Sequence, residues 1–438
     1  MSQSSRSEST ASNLGSASES ERADTSFLGR LGIQPSLAWG FFGLMLFMGG
    51  VGVESGFLPP YLATTGISER EVALVITLYG VAVAVAAWLS GALSDLWGPR
   101  TVMLAGLAAW TIFEVAFLTL GVTSGRFSLV ALTYGLRGLG FPLFAYGFLV
   151  WISVATPVKR LATAAGWFWF AFTAGYPTLG SFFASYAVTW VGPLPTMWWS
   201  LGLTTLGGLI ALLGVSEPVG RRRLAPPGEN PVKTVLTSVT IAWRNPKVGI
   251  GGIVRAINTT SMFGFLVYLP TFFTVDVGFT MPQWLRLLSV MFLSNVIWNL
   301  LFGIIGDKFG WRKTVAAFGG VGCAITVLCL YYTPRTFGAN YPLCLLAGAL
   351  YGATLAGYVP LSALMPTLAP KNKGAAMSIL NVGAGASAWL GPGIVAVFLP
   401  MLGVIGVCWI FSVLHLVSAA MTLALTLPSD QTTGTAQG

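Results

Sequence analysis

The chain has 438 residues, 55% of them hydrophobic and only 8% charged. An ordinary soluble domain carries roughly 25% charged residues, so a soluble enzyme of this size is excluded. The formal net charge of +9 is not a nucleic-acid footprint either, because the basic residues fall in short connections between long apolar runs.

Residues 1–34 are Ser-rich with scattered charge at Arg6, Glu8, Glu19, Glu21, Arg22 and Asp24. They lack the apolar core and cleavage site of a signal peptide, and their composition predicts a disordered cytoplasmic tail. Six apolar runs follow at 37–62, 72–94, 101–121, 127–153, 162–187 and 196–215, giving an expected N-terminal bundle over 35–216. Residues 217–247 interrupt the pattern with Arg221, Arg222 and Arg223, then Pro226 and Pro227, and read as a basic cytoplasmic linker. Within it, Val232 to Trp243 has the pattern of an interfacial amphipathic helix. Six further runs, at 248–273, 284–306, 314–333, 341–365, 375–400 and 403–427, give a C-terminal bundle over 248–427. The tail 428–438 is polar again. Twelve spans of roughly 20 residues therefore account for the apolar part of the chain. Cys323, Cys329, Cys344 and Cys408 all lie in apolar runs and read as small core residues, with no disulfide, metal or cofactor framework.

An even number of spans puts both termini on one side. Placing that side in the cytoplasm gives seventeen of the 23 Lys and Arg to inward segments, four to outer loops (Arg70, Arg126, Arg286, Arg335) and two to spans. The positive-inside rule then predicts cytoplasmic termini.

The two halves echo each other. Gly91 to Arg100 reads GALSDLWGPR, and Gly303 to Lys313 reads GIIGDKFGWRK, with acids at Asp95 and Asp307, 212 residues apart. A second echo sets YGLRGLG, from Tyr134, against YGATLAG, from Tyr351. Repeats of this kind place a substrate site at their interface near mid-membrane.

The repeated loop resembles the signature of the major facilitator superfamily, although Leu96 stands where a base is usual in the first copy. The resemblance implies an all-α fold of two pseudo-symmetric six-helix bundles, with Asp95, Arg100, Asp307 and Arg312 serving conformational switching. A narrower resemblance rests on GVE from Gly52, WFW from Trp167, VRAINT from Val254, FGF from Phe263, GIIGDKFGW from Gly303 and APKNKGAA from Ala369. Together these are similar to the bacterial ribitol and arabinitol permeases, a family of polyol–proton symporters. That likeness implies a small neutral polyol as solute, protons as coupling ion, and a bacterial inner-membrane setting. One departure bears on the proton site and the substrate: the ribitol permease has an aspartate at the position of Val51 and a histidine at that of Glu114.

Glu54, Glu114, Arg137 and Arg255 fall well inside spans. A charge at the bilayer centre costs at least about 2.5–3.5 kcal/mol, so each needs a partner or a wet cavity. Counting about 1.5 Å per residue puts Glu54, Glu114 and Arg137 in one layer, roughly 10–15 Å from the outer ends of their spans. An acid–Arg pair there is either a structural strut or a proton-loading site. The resemblance favours Glu54 as the loading acid, because superfamily proteins line their cavity with the first, fourth, seventh and tenth spans. Glu114 is then the partner that holds Arg137. Arg255 is either a snorkelling group near the inner surface or a cavity donor with Asn258, three residues on and on the same face. Asn299, Asn381, Tyr351 and Tyr358 are polar groups that serve either helix packing or solute binding. Trp167 to Trp169 suit an interfacial belt, and Trp167 also suits the C–H face of a polyol. His415 is read as peripheral.

There is no Walker loop, metal cluster or nucleophile–base pair, so no enzyme is expected. The expected function is proton-driven import of a pentitol such as ribitol or arabinitol by a monomer with no cofactor. The alternatives are a proton-coupled exporter or organic-acid or drug transporter on the same fold, and a non-transporting sensor.

Overall fold

The computed structural model describes residues 28, 31, 33–54, 57–67, 69–225 and 231–426. Almost all of the polar head, Pro226 with Pro227, and the tail 428–438 lie outside them. The described residues are overwhelmingly helical, with no strand among them. Ten helical runs among them are long and apolar enough to cross a bilayer.

The first span is Ala38–Val53, continued after a break by Leu58–Thr64. Glu69–Trp97 forms the second, and Pro99–Ala116 with a π-helical turn at Phe117–Val122 the third. The fourth is Phe127–Arg137 and Gly140–Ala155. The fifth runs Leu161–Thr173, then through a π-helical stretch Ala174–Gly180 into Ser181–Val191. Pro193–Gly214 is the sixth. A helix, Pro231–Arg244, realises the amphipathic stretch and packs against the second and seventh spans and against the last helical run, Lys373–Leu423. The seventh is Pro246–Thr271 and the eighth Met281–Phe309. The ninth runs from Trp311 to Phe337, and the tenth is Tyr341–Ala356 with Leu361–Leu368. The last run, Lys373–Leu423, turns at Gly403 into an eleventh and a twelfth span. Several spans begin with proline in the first turn, where its missing N–H costs nothing.

Two spans run longer than the apolar count predicts. The second and eighth have 29 residues each, about 43 Å at the helical rise, against a hydrocarbon core of about 30 Å. Asp95 and Asp307, expected in loops, therefore stand in the last turns of these helices. Hydropathy registers only the hydrocarbon layer, whereas helical hydrogen bonding continues beyond it.

The glycines that adopt positive φ make the repeat visible in the backbone. They are Gly66, Gly98, Gly125, Gly192, Gly278, Gly310, Gly338 and Gly403. Paired in order, the first four and the last four lie 212, 212, 213 and 211 residues apart. Each pair closes the same interhelical connection in the two halves, at a left-handed conformation that glycine adopts without steric cost. Gly98 and Gly310 follow Asp95 and Asp307 by three residues, so the repeated motif is a helix end and turn used twice.

The halves meet most closely at the end that carries these acids. The fifth span packs on the eighth and the second on the eleventh. A Cβ at Gly166 would come within 2.7 Å of the Asn299 carbonyl, and one at Gly303 within 2.8 Å of the Ala162 carbonyl. Gly91 and Gly374 are pressed together in the same way.

Candidate functional site

Three charged side chains from three spans form one buried cluster. Glu54 caps the C-terminal end of the first-span helix, and Arg137 ends the first segment of the fourth, just before the break at Gly138. Glu114 lies inside the third span. All three are at most 1% exposed. Arg137 Nη1 donates to Glu54 Oε2 at 2.6 Å and also to Glu114 Oε2. Its guanidinium lies 4.4 Å from the Trp110 ring and 4.3 Å from that of Tyr134, with Tyr79 and Phe117 farther out. Cation–π contact with such rings partly replaces lost hydration.

The positions of the acids differ in consequence. Glu54 sits at a helix C-terminus, where the macrodipole disfavours an anion, and its remaining oxygen Oε1 has no hydrogen-bond partner. Glu114 is held mid-helix, with its Oε1 also unpartnered. With both acids ionised, two negative charges share one positive charge.

The other predicted residues fall into separate groups. Arg255 is 7% exposed and stacks over Trp169 of the fifth span, 5.0 Å from the ring centroid. Asn258 is buried one turn further along the same helix. Asn299 Nδ2 donates to Thr173 Oγ1 at 3.2 Å, and Asn381 Nδ2 to Ser90 Oγ at 3.0 Å, so each bridges the two halves. Tyr358 instead turns toward the twelfth span, bonding His415 Nδ1 at 2.8 Å and Ser418 Oγ at 3.0 Å. His415 is buried, and its other ring nitrogen meets Ser261, which also bonds Tyr351. The hydroxyls and ring from these three spans, the seventh, tenth and twelfth, form a packing network within the second half. Trp167 reaches outward, its Nε1 donating to the Leu31 carbonyl at 2.9 Å.

The aromatic residue at Arg255 is thus Trp169, two positions from the one singled out. A signal for it was present. Gly166, Trp169 and Thr173 share one helical face, and all three touch the second half, Trp169 through Ser362 Oγ at 3.0 Å. Gly374, Ser378, Asn381 and Gly385 form a matching face on the eleventh span, against Gly91, Ser90 and Ala84 of the second.

The acids of the repeated motif lie at helix starts across the interface. Asp307 accepts from the backbone N–H groups of Ala162 and Thr163, at 3.1 and 2.8 Å, from the Thr163 hydroxyl and from Trp311 Nε1. Asp95 lies against Gly374, where an added Cβ would run into its carboxylate. Arg100 Nη2 donates to the Leu212 carbonyl at 2.7 Å, tying the third span to the sixth within one half. Arg312 stands half-buried at the start of the ninth span. Elsewhere, Glu217 escaped notice in the sequence: it is buried and accepts from Trp151 Nε1 and the Val219 N–H, anchoring the chain after the sixth span. A separate apolar groove of about 530 Å³ lies between the first, fifth and sixth spans, lined by Met45, Phe183, Trp190 and Trp199 among others. It is remote in character from the buried charges.

Two pseudo-symmetric sets of membrane helices, closed on each other at one end and carrying buried charges between spans, define a polytopic carrier. The profile of the Major Facilitator Superfamily matches residues 40–294 and 253–437, and the chain belongs to that superfamily. It is a transporter and not an enzyme. It is 45% identical over 409 residues to the α-ketoglutarate permease of Bacillus subtilis (strain 168), covering 93% of this chain and 92% of that one. Identity to the D-arabinitol transporter of Klebsiella pneumoniae is 36% (89% and 92% covered), and to its ribitol transporter 35% (88% and 91%). Among solved structures, the fucose:proton symporter FucP of E. coli superposes with a TM-score of 0.73 at 12% identity, over 89% of this chain and 98% of that one. The twelve-helix count agrees with that fold.

Proposed function

We propose that this protein is a proton-coupled secondary carrier that imports a small polar organic solute by alternating access. The observation that carries the reading is the pair of carboxylates, Glu54 and Glu114, on a single guanidinium nitrogen of Arg137. As ionised groups they leave the buried cluster with one net negative charge. One proton neutralises it, and a neutral cluster passes through a closed, dry state at far lower electrostatic cost. Glu54 is the loading acid in this scheme, because it stands on the first span, one of those that line the cavity in the superfamily. Glu114 is the fixed strut.

The relatives support two solute classes. The D-arabinitol and ribitol transporters favour the polyol expected from the sequence, and the α-ketoglutarate permease favours a small organic acid. The distribution of Lys and Arg supports a bacterial inner-membrane setting with cytoplasmic termini, and a monomer is the working unit. Two bundles, 35–216 and 248–427, then rock about the basic linker 217–247. In that orientation the closed end faces the cytoplasm. Asp95 and Asp307, with Arg100 and Arg312, act in switching between conformations.

Counterflow and uptake in proteoliposomes test this reading, with labelled ribitol, D-arabinitol and α-ketoglutarate, each with and without a pH gradient. Accumulation of one solute above equilibrium only with an inward proton gradient supports it. Exchange that ignores the gradient would count against proton coupling, and accumulation driven in the opposite direction would make the protein an exporter.

A further inference from the structure

Arg255 takes no part in the Glu54–Glu114–Arg137 cluster, and it presents a charge problem of its own. It stands about 13 Å into the seventh-span helix that begins at Pro246. No acidic side chain among the described residues pairs with it, and its Nη1 has no hydrogen-bond partner. Snorkelling does not account for it, because the side chain is 7% exposed and lies over Trp169 of the other half.

The surroundings hold the guanidinium in place. Trp169 is itself fixed by its bond to Ser362 of the tenth span and by an edge contact with Phe172, 5.4 Å between centroids. Gly383 of the eleventh span allows close approach, since a Cβ there would meet Arg255 Cβ at 3.0 Å. The Tyr146 phenol of the fourth span lies within electrostatic reach. One turn along the same helical face, Asn258 is 8% exposed, and its Oδ1 is unpartnered too. A buried guanidinium nitrogen and a buried amide oxygen, both without a hydrogen-bond partner, therefore stand one turn apart on one helix, the guanidinium against the other half.

We infer that Arg255 and Asn258 bind the carboxylate end of the transported solute, which makes the substrate a small organic acid and not a neutral polyol. Guanidinium presents two parallel N–H groups that match a carboxylate, and the ionic pairing cancels the buried charge. A polyol hydroxyl would satisfy a hydrogen bond yet leave that charge uncompensated. Asn258 accepts from a hydroxyl of the acid or from a water that travels with it. The inference rests on reading the chain as a carrier with its site between the halves, and it gives coupling a physical basis. With a proton on the acidic cluster and one carboxylate group on Arg255, the charges that these two protein sites carry are both compensated.

The test is equilibrium binding to the purified full-length carrier in detergent, at one pH and without a gradient. Labelled α-ketoglutarate is the direct probe. Thermal stabilisation by a panel of mono-, di- and hydroxycarboxylates, ribitol, D-arabinitol, chloride and inorganic phosphate extends it. Carboxylates should bind and compete with one another while the polyols and inorganic anions do not. Arg255→Gln should weaken carboxylate binding roughly 10- to 100-fold, the loss expected for a charge-assisted hydrogen bond. Arg255→Lys should fall between the two. The Gln variant should remain monodisperse and melt no lower than the parent, since an uncompensated buried charge has been removed. Stabilisation by polyols alone, by no carboxylate in the panel, or equally by chloride and phosphate would overturn the assignment, as would unchanged binding to Arg255→Gln. Because no gradient is present, carboxylate binding without pH-driven uptake would remove the coupling scheme and leave this site standing.

Discussion

Asp307, in the last turn of the eighth span, accepts the backbone N–H and the hydroxyl of Thr163 at 2.8 and 2.5 Å, and so holds the start of a helix that belongs to the other half. Its repeat partner Asp95 meets Gly374 at the start of the eleventh span. Each carboxylate faces a helix N-terminus, where unpaired N–H groups and the positive end of the dipole favour it. These contacts exist only while the halves are together at this end.

Asp307→Asn keeps one acceptor oxygen but loses the charge. A cap and dipole interaction of this kind is worth about 0.5–2 kcal/mol, so the closed arrangement should lose population by roughly 2- to 30-fold. Transport should slow while solute affinity changes little. A selective loss of binding in equilibrium measurements would show instead that Asp307 belongs to the solute site.

Glycine at the contact between halves should control the same equilibrium from the opposite direction. Alanine at Gly166 places a methyl 2.7 Å from the Asn299 carbonyl, a distance the closed packing does not accommodate. Gly166→Ala should therefore favour separation of the halves at this end. Proteolysis or thiol labelling at the acid-bearing end should increase, with the helical content unchanged. Labelling equal to the parent's would mean that the fifth and eighth spans yield elsewhere.

Glu54→Gln mimics the proton-loaded cluster and should retain solute exchange while losing uphill accumulation. Uptake by the parent should rise as external pH falls, because protonation supplies the neutral cluster, and the profile of Glu54→Gln should be flat. Glu114→Gln should mainly reduce yield and thermal stability. If Glu54→Gln still accumulates solute and Glu114→Gln alone abolishes the pH response, the two acids have exchanged roles.

Arg137→Gln removes the one cation that both acids share and strands two buried carboxylates. Breaking a buried ion pair in this manner costs about 3–5 kcal/mol. The variant should express poorly or melt well below the parent in detergent. Normal stability would mean that the acids are protonated at rest and need no cation.

His415 has both ring nitrogens engaged by hydroxyls, Ser261 on one side and Tyr358 on the other, so it is tied into packing. His415→Ala should cost about 1–3 kcal/mol from the polar groups left unsatisfied. Proton-driven accumulation, measured per folded carrier, should persist. Loss of coupling at normal stability would place His415 on the proton route.

Much of this arrangement follows from the sequence alone, and the reason is the solvent. Hydrocarbon forces every backbone polar group into helical hydrogen bonds, so apolar runs of span length name the helices directly. Ionisable residues inside them are costly enough to mark themselves, which is why Glu54, Glu114, Arg137 and Arg255 stood out. The repeat at Asp95 and Asp307 was legible because the same helix end and glycine turn are built twice. What the sequence did not determine was which groups meet. That both acids share one nitrogen of Arg137, that Trp169 and not Trp167 lies under Arg255, and that Tyr358 turns to His415 depend on helix rotation and on breaks at Glu54, Gly138 and Gly357. Rotation is set by side-chain packing between helices distant in sequence, where small residues such as Gly166 and Gly374 fix the closest approach. Hydropathy is nearly uniform around such helices and carries no information on which face turns inward; only the tertiary contacts decide it.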